Sequence, residues 1–254
     1  MPDSGEERAG VPAIIACDVF TDEFRALGGD APLWTRIRWL EMGLHDRPDA
    51  LRREVQAVID EWDTAGDFDE IVLAYGLCGN GLLGIEALRK HLVLPRAHDC
   101  ISMLLGGPRA HESLLKENPG PYFYSPGWIR HRRVPGPDRA AYLQEEYSRR
   151  YPDDPDIIGD LLEADALAFS HHNCAAYVDI TKDAEAEAYC RDCARHMGWR
   201  FRRLAGDSRL LEGLLRGDRA PERFLVVPPG QRIARSGGEE LIVAVPGGEG
   251  RAAP

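Results

Sequence analysis

The chain has 254 residues, 44% hydrophobic and 29% charged, with 42 acidic against 31 basic side chains and a net charge of -11. A chain of this size buries a substantial core, as one large α/β domain or two packed lobes. Its acidity, with no basic stripe carrying interleaved aromatics, excludes a nucleic-acid surface as its main business. No apolar run is long enough to span a bilayer, and residues 1–12 (MPDSGEERAGVP) lack the apolar core of a secretory signal. A cytoplasmic setting is therefore expected, where the six cysteines stay reduced and act as ligands, nucleophiles or core residues rather than a disulfide framework.

In chain order, residues 1–11 read as a disordered N-terminus, and Ala13 to Ala16 as a short strand buried on both faces, ending in Cys17. Trp34 to Met42 reads as a short strand or a turn of helix. Over His45 to Asp63, Pro48 opens a helix on which Leu51, Val55, Val58, Ile59 and Trp62 keep a 3.6-residue period. Ile71 to Tyr75 is a buried strand, followed by a glycine-rich turn carrying Cys78, a helix, and a second buried strand at Leu92 to Leu94, in what reads as one βαβ unit. Ile101 to Leu105 is expected to be helical, and Pro121 to Trp128 an aromatic strand and turn. Arg139 to Arg150 reads as an exposed helix, and the loop Pro152 to Pro155 could mark a lobe boundary near residues 150–156. Ala166 to Ser170 is a candidate strand, Asp183 to Met197 a helix, Arg200 to Leu204 a strand, and Ser208 to Leu215 a short helix. Phe224 to Val227 is the last strong apolar strand. Residues 233–254 read as a flexible Gly-rich tail holding an edge strand at Leu241 to Val245. Strands alternating with helices predict an α/β domain over residues 12–232. It has a mostly parallel sheet with helices on both faces, and two Rossmann-like lobes remain an alternative.

The chemistry turns on which polar residues share a site. Cys17, Cys78 and Cys100 each follow a buried run, and in a parallel sheet such ends point the same way, toward the edge where ligands bind. Three thiols with His98 or Asp99 beside them match a soft divalent metal. Zinc is the expected ion, because it takes thiolate and imidazole in tetrahedral sites and keeps a position open when catalytic. An iron-sulfur cluster with one unique iron is the alternative cofactor. The plain alternative is that cysteines beside strands are small buried hydrophobes. The glycines around Cys78 match neither G-x-G-x-x-G nor a P-loop. They could bring backbone close to a small substrate, with Cys78 and Asn80 aimed into the site. Cys190, Cys193 and His196 form C-x-x-C-x-x-H on a helix, without the second pair that would complete a zinc ribbon. Asn173 and Tyr177, after the strand expected at 166–170, are candidate substrate contacts, and Trp128 a candidate aromatic wall.

YGLCGNGLLGI, LPRAHDCISMLLG, YFYSPGW and FLVVPPG, in that order, resemble the DUF1638 family, a group of prokaryotic proteins named for having no assigned function. The resemblance runs from about Ala13 to Gly230. It is most specific at the glycine-flanked Cys78 and the R-x-H-D-C run ending at Cys100, and Cys17 in IIACDVF also resembles the family's N-terminal pattern. Cys174, Cys190 and Cys193 are not among the residues that carry it. The resemblance supports a shared site and implies no reaction.

The expected function is a metal-dependent enzyme acting on a small molecule by hydrolysis or group transfer, including methyl transfer. Cys17, Cys78 and Cys100 would hold the ion, with His98 as fourth ligand and His98 or Asp99 as general acid/base. One alternative is a metal-free enzyme using a cysteine as nucleophile or base, racemase-like or hydrolase-like. Another is a non-catalytic metal-binding sensor or carrier. The expected partner is the small-molecule substrate, with neither nucleic acid nor membrane. A homo-oligomer could form through Trp34, Trp39 and the Tyr122 to Tyr124 run.

Overall fold

The computed structural model describes residues 13–28, 36–64, 68–118, 120–238 and 240–248. The expectations for residues 1–11, for Trp34 and for the last six residues of the tail lie outside that range. The chain divides into two compact units, one built from the segments before His111 and after Gly206, the other from His111 to Gly206. Residues 150–156 join two helices within the second unit.

The first unit is organised on a five-stranded sheet. Its strands are β1 (Ala13–Cys17), β2 (Ile37–Leu40), β3 (Glu70–Ala74), β4 (His91–Pro95) and, from the end of the chain, β8 (Phe224–Val227), in the order β2-β1-β3-β4-β8. The first four are parallel, and β8 runs antiparallel against β4. Every residue of AIIAC is buried, because β1 lies between two strands in the interior of the sheet. Helices α1 (Thr21–Gly28), α2 (Pro48–Asp63), α3 (Cys100–Leu104) and α9 (Arg209–Arg216) belong to the same unit. In α2 the buried Leu51, Val55, Val58 and Ile59 keep the expected period. In α9 the buried Leu210, Leu211, Leu214 and Leu215 form one apolar face, and a Cβ at Gly213 would lie 2.6 Å from the Phe224 ring. The expected edge strand near 241–245 is β10 (Ile242–Pro246), the partner of β9 (Gln231–Arg235) in an antiparallel hairpin.

The second unit has its own parallel sheet, β5 (Pro121–Tyr124), β6 (Cys174–Asp179) and β7 (Arg200–Ala205), in sequence order. Between β5 and β6 run α5 (Pro126–Arg130), α6 (Arg139–Arg150) and α7 (Pro155–Ala168), and α8 (Ala184–Met197) joins β6 to β7. Helix α4 (Pro108–Glu117) spans the boundary between the units. Tyr124, Tyr177, Cys190 and Cys193 are fully buried in the second core. The Tyr124 hydroxyl donates to Pro135 O at 2.7 Å, which satisfies the polar end of a ring buried for its apolar area. The described chain is thus α/β with mostly parallel sheets and helices around them. No helix among the described residues is long and apolar enough to cross a membrane.

Two local expectations are overturned. Residues 166–170 are not a strand: 166–168 finish α7 and the strand begins at Cys174. The short apolar run ALAFS ends a helix and is mostly exposed, with Leu167 64% accessible, and a five-residue window cannot distinguish such a run from a buried strand. The second is the helix expected between β3 and β4. Residues 75–90 form turns and bends, although β3 and β4 are parallel neighbours. Their backbone groups are satisfied from outside the segment. The Asp63 carboxylate accepts the N–H groups of Leu88, Arg89 and Lys90 at 2.9–3.2 Å. Arg52 donates to the carbonyls of Leu83 and Asn80 at 2.7 and 3.2 Å. On its other side the segment pairs with β9, with Gly84 N–H donating to Ile233 O at 2.8 Å and Ile233 N–H to Ile85 O at 3.0 Å. A buried irregular segment is stable only when its peptide groups are paired in this way.

Candidate functional site

Strands β1, β3 and β4 are consecutive in the sheet, so their C-terminal ends form one stretch of edge. Ala16 is in register with Ala74, which sets Cys17 and Tyr75 at the same level on neighbouring strands. Beyond β3 and β4 the two loops run against each other: Leu77 N–H donates to Ala97 O and Cys78 N–H to His98 O, each at 2.9 Å. The approach requires glycine at position 76, since a Cβ there would lie 2.5 Å from the backbone nitrogen of Asp99. The ladder therefore carries Cys78 on the loop after β3, the neighbour of β1, and Cys100 at the start of α3, where the adjoining loop ends.

The Cys78 turn is held in an uncommon conformation. Cys78, Gly79 and Asn80 have φ of 47°, 63° and 72°. For the two residues with side chains, the left-handed region costs roughly 1–2 kcal/mol each. The start of α2 supports the turn: a Cβ at Gly81 would lie 2.6 Å from the Leu51 side chain. Asn80 Oδ1 accepts from Arg235 of β9 at 2.5 Å, so the expected substrate contact braces the hairpin against the turn. Asp99 has a structural task as well. Its Oδ1 accepts from the N–H and the hydroxyl of Ser102 at 2.7 and 2.8 Å, capping α3. His98, on the same loop, exposes its imidazole to solvent.

The electrostatics of the cluster follow from its composition. Burial pushes the Cys78 thiol well up from its ordinary value, and Cys17 and then Asp99 push it further. Cys100 is raised by burial, then by Cys78, Cys17 and Asp99. Cys17 is only 8% exposed, while Cys78 and Cys100 keep part of their surface toward solvent. The three thiols thus lie within electrostatic reach of one another: Cys17 opposes ionisation of Cys78, and both oppose ionisation of Cys100. Among the described residues, no group of three or more His, Cys, Asp or Glu side chains is arranged to hold a metal ion.

Tyr75 joins this group, although it carried no weight in the reading of the sequence. It is 3% exposed, and its hydroxyl makes no hydrogen bond to the described residues. Burial raises its pKa, followed by Cys17, Cys78, Asp18 and Cys100, which places the hydroxyl within electrostatic reach of the three thiols. The available signal was a tyrosine ending a buried strand just before the Gly-Leu-Cys turn, where an all-apolar run would have sufficed for packing.

The remaining candidates belong to the second unit. Asn173 pairs through its backbone with Gly120 O and Arg200 N at the start of β6. Tyr177 is fully buried and donates to Asp183 O at 3.2 Å. Trp128, on α5, packs against the second core. Cys190 and Cys193 point into that core, and the Cys193 sulfur lies 2.5 Å from where a Cβ at Gly136 would stand, while His196 is exposed. The C-x-x-C-x-x-H pattern is therefore two core thiols and a surface imidazole.

A family model described as "Protein of unknown function (DUF1638)" matches residues 39–215, a span that includes Cys78 and Cys100 and leaves Cys17 outside. No curated protein and no solved structure matches the chain. The chain belongs to the DUF1638 family.

Proposed function

We propose that the protein is a metal-dependent enzyme acting on a small molecule, by hydrolysis or by group transfer such as methyl transfer, with Cys17, Cys78 and Cys100 as ligands to zinc. The observation that carries this reading is that the three cysteines lie at or after the C-terminal ends of three parallel strands consecutive in one sheet. Buried thiols that oppose one another's ionisation keep their protons until a cation offsets the charge. Metal uptake would then release those protons and close the sulfurs around the ion, since zinc–sulfur bonds are about 2.3 Å. With a fourth position left to water or substrate, the ion would serve as a Lewis acid for a substrate oxygen or activate a bound water as nucleophile. His98 is the residue for ligation or proton transfer, because its imidazole is exposed beside the cluster while the carboxylate of Asp99 caps α3. The same raised thiol pKa values weigh against a metal-free thiolate nucleophile, which needs its pKa lowered.

Elemental analysis of protein purified without oxygen tests the proposal. The expected result is about one zinc per chain, lost at least tenfold in Cys17→Ala, Cys78→Ala and Cys100→Ala and kept in Cys190→Ala. Iron with acid-labile sulfide would replace zinc by a cluster. Absence of metal from the wild type, or full retention by Cys78→Ala, would refute the metal reading.

A further inference from the structure

We propose that Tyr75 is a ligand-binding residue of this site, its hydroxyl donating a hydrogen bond to an acceptor oxygen, carbonyl or carboxylate, of the small molecule bound at the cysteine cluster. The inference rests on the reading of that cluster as a small-molecule site. Its own observation is the hydroxyl: a tyrosine 3% exposed whose oxygen has no partner among the described residues. Buried hydroxyls are nearly always hydrogen-bonded, and one left unmade costs the desolvation of the group. Tyr75 follows β3 directly, level with Cys17 at the same sheet edge, and Cys17, Cys78, Asp18 and Cys100 lie within its electrostatic reach. The neutral phenol is a donor, and a carboxylate or carbonyl oxygen is the acceptor that such a donor selects. Where packing alone was required, phenylalanine would have filled the same space.

Tyr75→Phe separates the roles. In the metal-free protein the variant should melt about 2–4 °C above the wild type, because the unpartnered oxygen is gone. Both proteins are then loaded with Co(II), whose visible bands report the ligands, and titrated with acetate as the probe. Cobalt affinity should stay within about threefold of wild type, whereas acetate affinity should fall at least tenfold, a loss of about 1.4 kcal/mol. A metal-free variant that melts below the wild type would show that the hydroxyl already has a partner, and equal acetate affinity would show that it touches no ligand. Either result overturns the inference. If neither protein takes up Co(II), the metal reading fails separately. Acetate binding to the metal-free proteins, followed by the shift in melting temperature, then decides the role of Tyr75 by the same tenfold criterion.

Discussion

Cys78 combines a left-handed backbone with a thiol whose ionisation its neighbours oppose. The backbone costs stability at any pH and the thiol only at alkaline pH, and both concern the residue on which the proposed site turns. The thiol leaves a measurable trace in the metal-free protein. Its folded pKa lies above the ordinary 9.0, so the native state keeps a proton that the unfolded chain releases at alkaline pH. Native protein then binds more protons than unfolded protein, and the free energy of unfolding falls as pH climbs. The melting temperature should hold steady below about pH 8 and decline above about pH 9. In Cys78→Ser the decline should be shallower, since a hydroxyl does not titrate there. A melting temperature that rises through the same window would mean that the fold stabilises the thiolate.

At the scale of elements, the segment from β3 to β4 decides the geometry of the cluster. It spans its crossover without a helix because α2, through Asp63 and Arg52, and the β9–β10 hairpin satisfy its backbone. Asp63 is the point of greatest leverage: it is 8% exposed, lies on the buried face of α2 and accepts three consecutive N–H groups. Asp63→Asn removes the charge and one acceptor oxygen, and the loss should be about 1.5–3 kcal/mol in urea unfolding. Amide exchange of Leu88, Arg89 and Lys90 should accelerate in the variant. An unchanged midpoint would show that the segment is held by its other contacts.

At the scale of the whole molecule, the second unit is continuous in sequence and the first is completed only after it. Helix α9 and strand β8 follow Gly206, and β8 covers the edge of β4. A chain ending at Gly206 would expose that edge and lose the apolar face of α9, while keeping every strand of the β5-β6-β7 sheet. Limited proteolysis of such a chain should leave a resistant fragment close to residues 111–206 and digest residues 13–110. Equal resistance of the earlier segment would show that the first unit holds without its last strand.

The sequence by itself determined the buried strands β1, β3, β4 and β8, the helices α2, α3, α6, α8 and α9, and the succession of Cys17, Cys78 and Cys100 after apolar runs. Burial on both faces is a local property, written in the residues of each run. Only the tertiary structure decided the strand order, the division into two units, the absence of a helix after Cys78, and the placing of Tyr75 among the thiols. These depend on partners far apart along the chain. Asp63 caps amides beyond the next strand, Ile233 pairs with a loop before β4, and Gly76 admits the backbone of Asp99. The helix expected between the Cys78 turn and Leu92 yields because its backbone groups find better partners elsewhere, and no window of neighbouring residues records that competition.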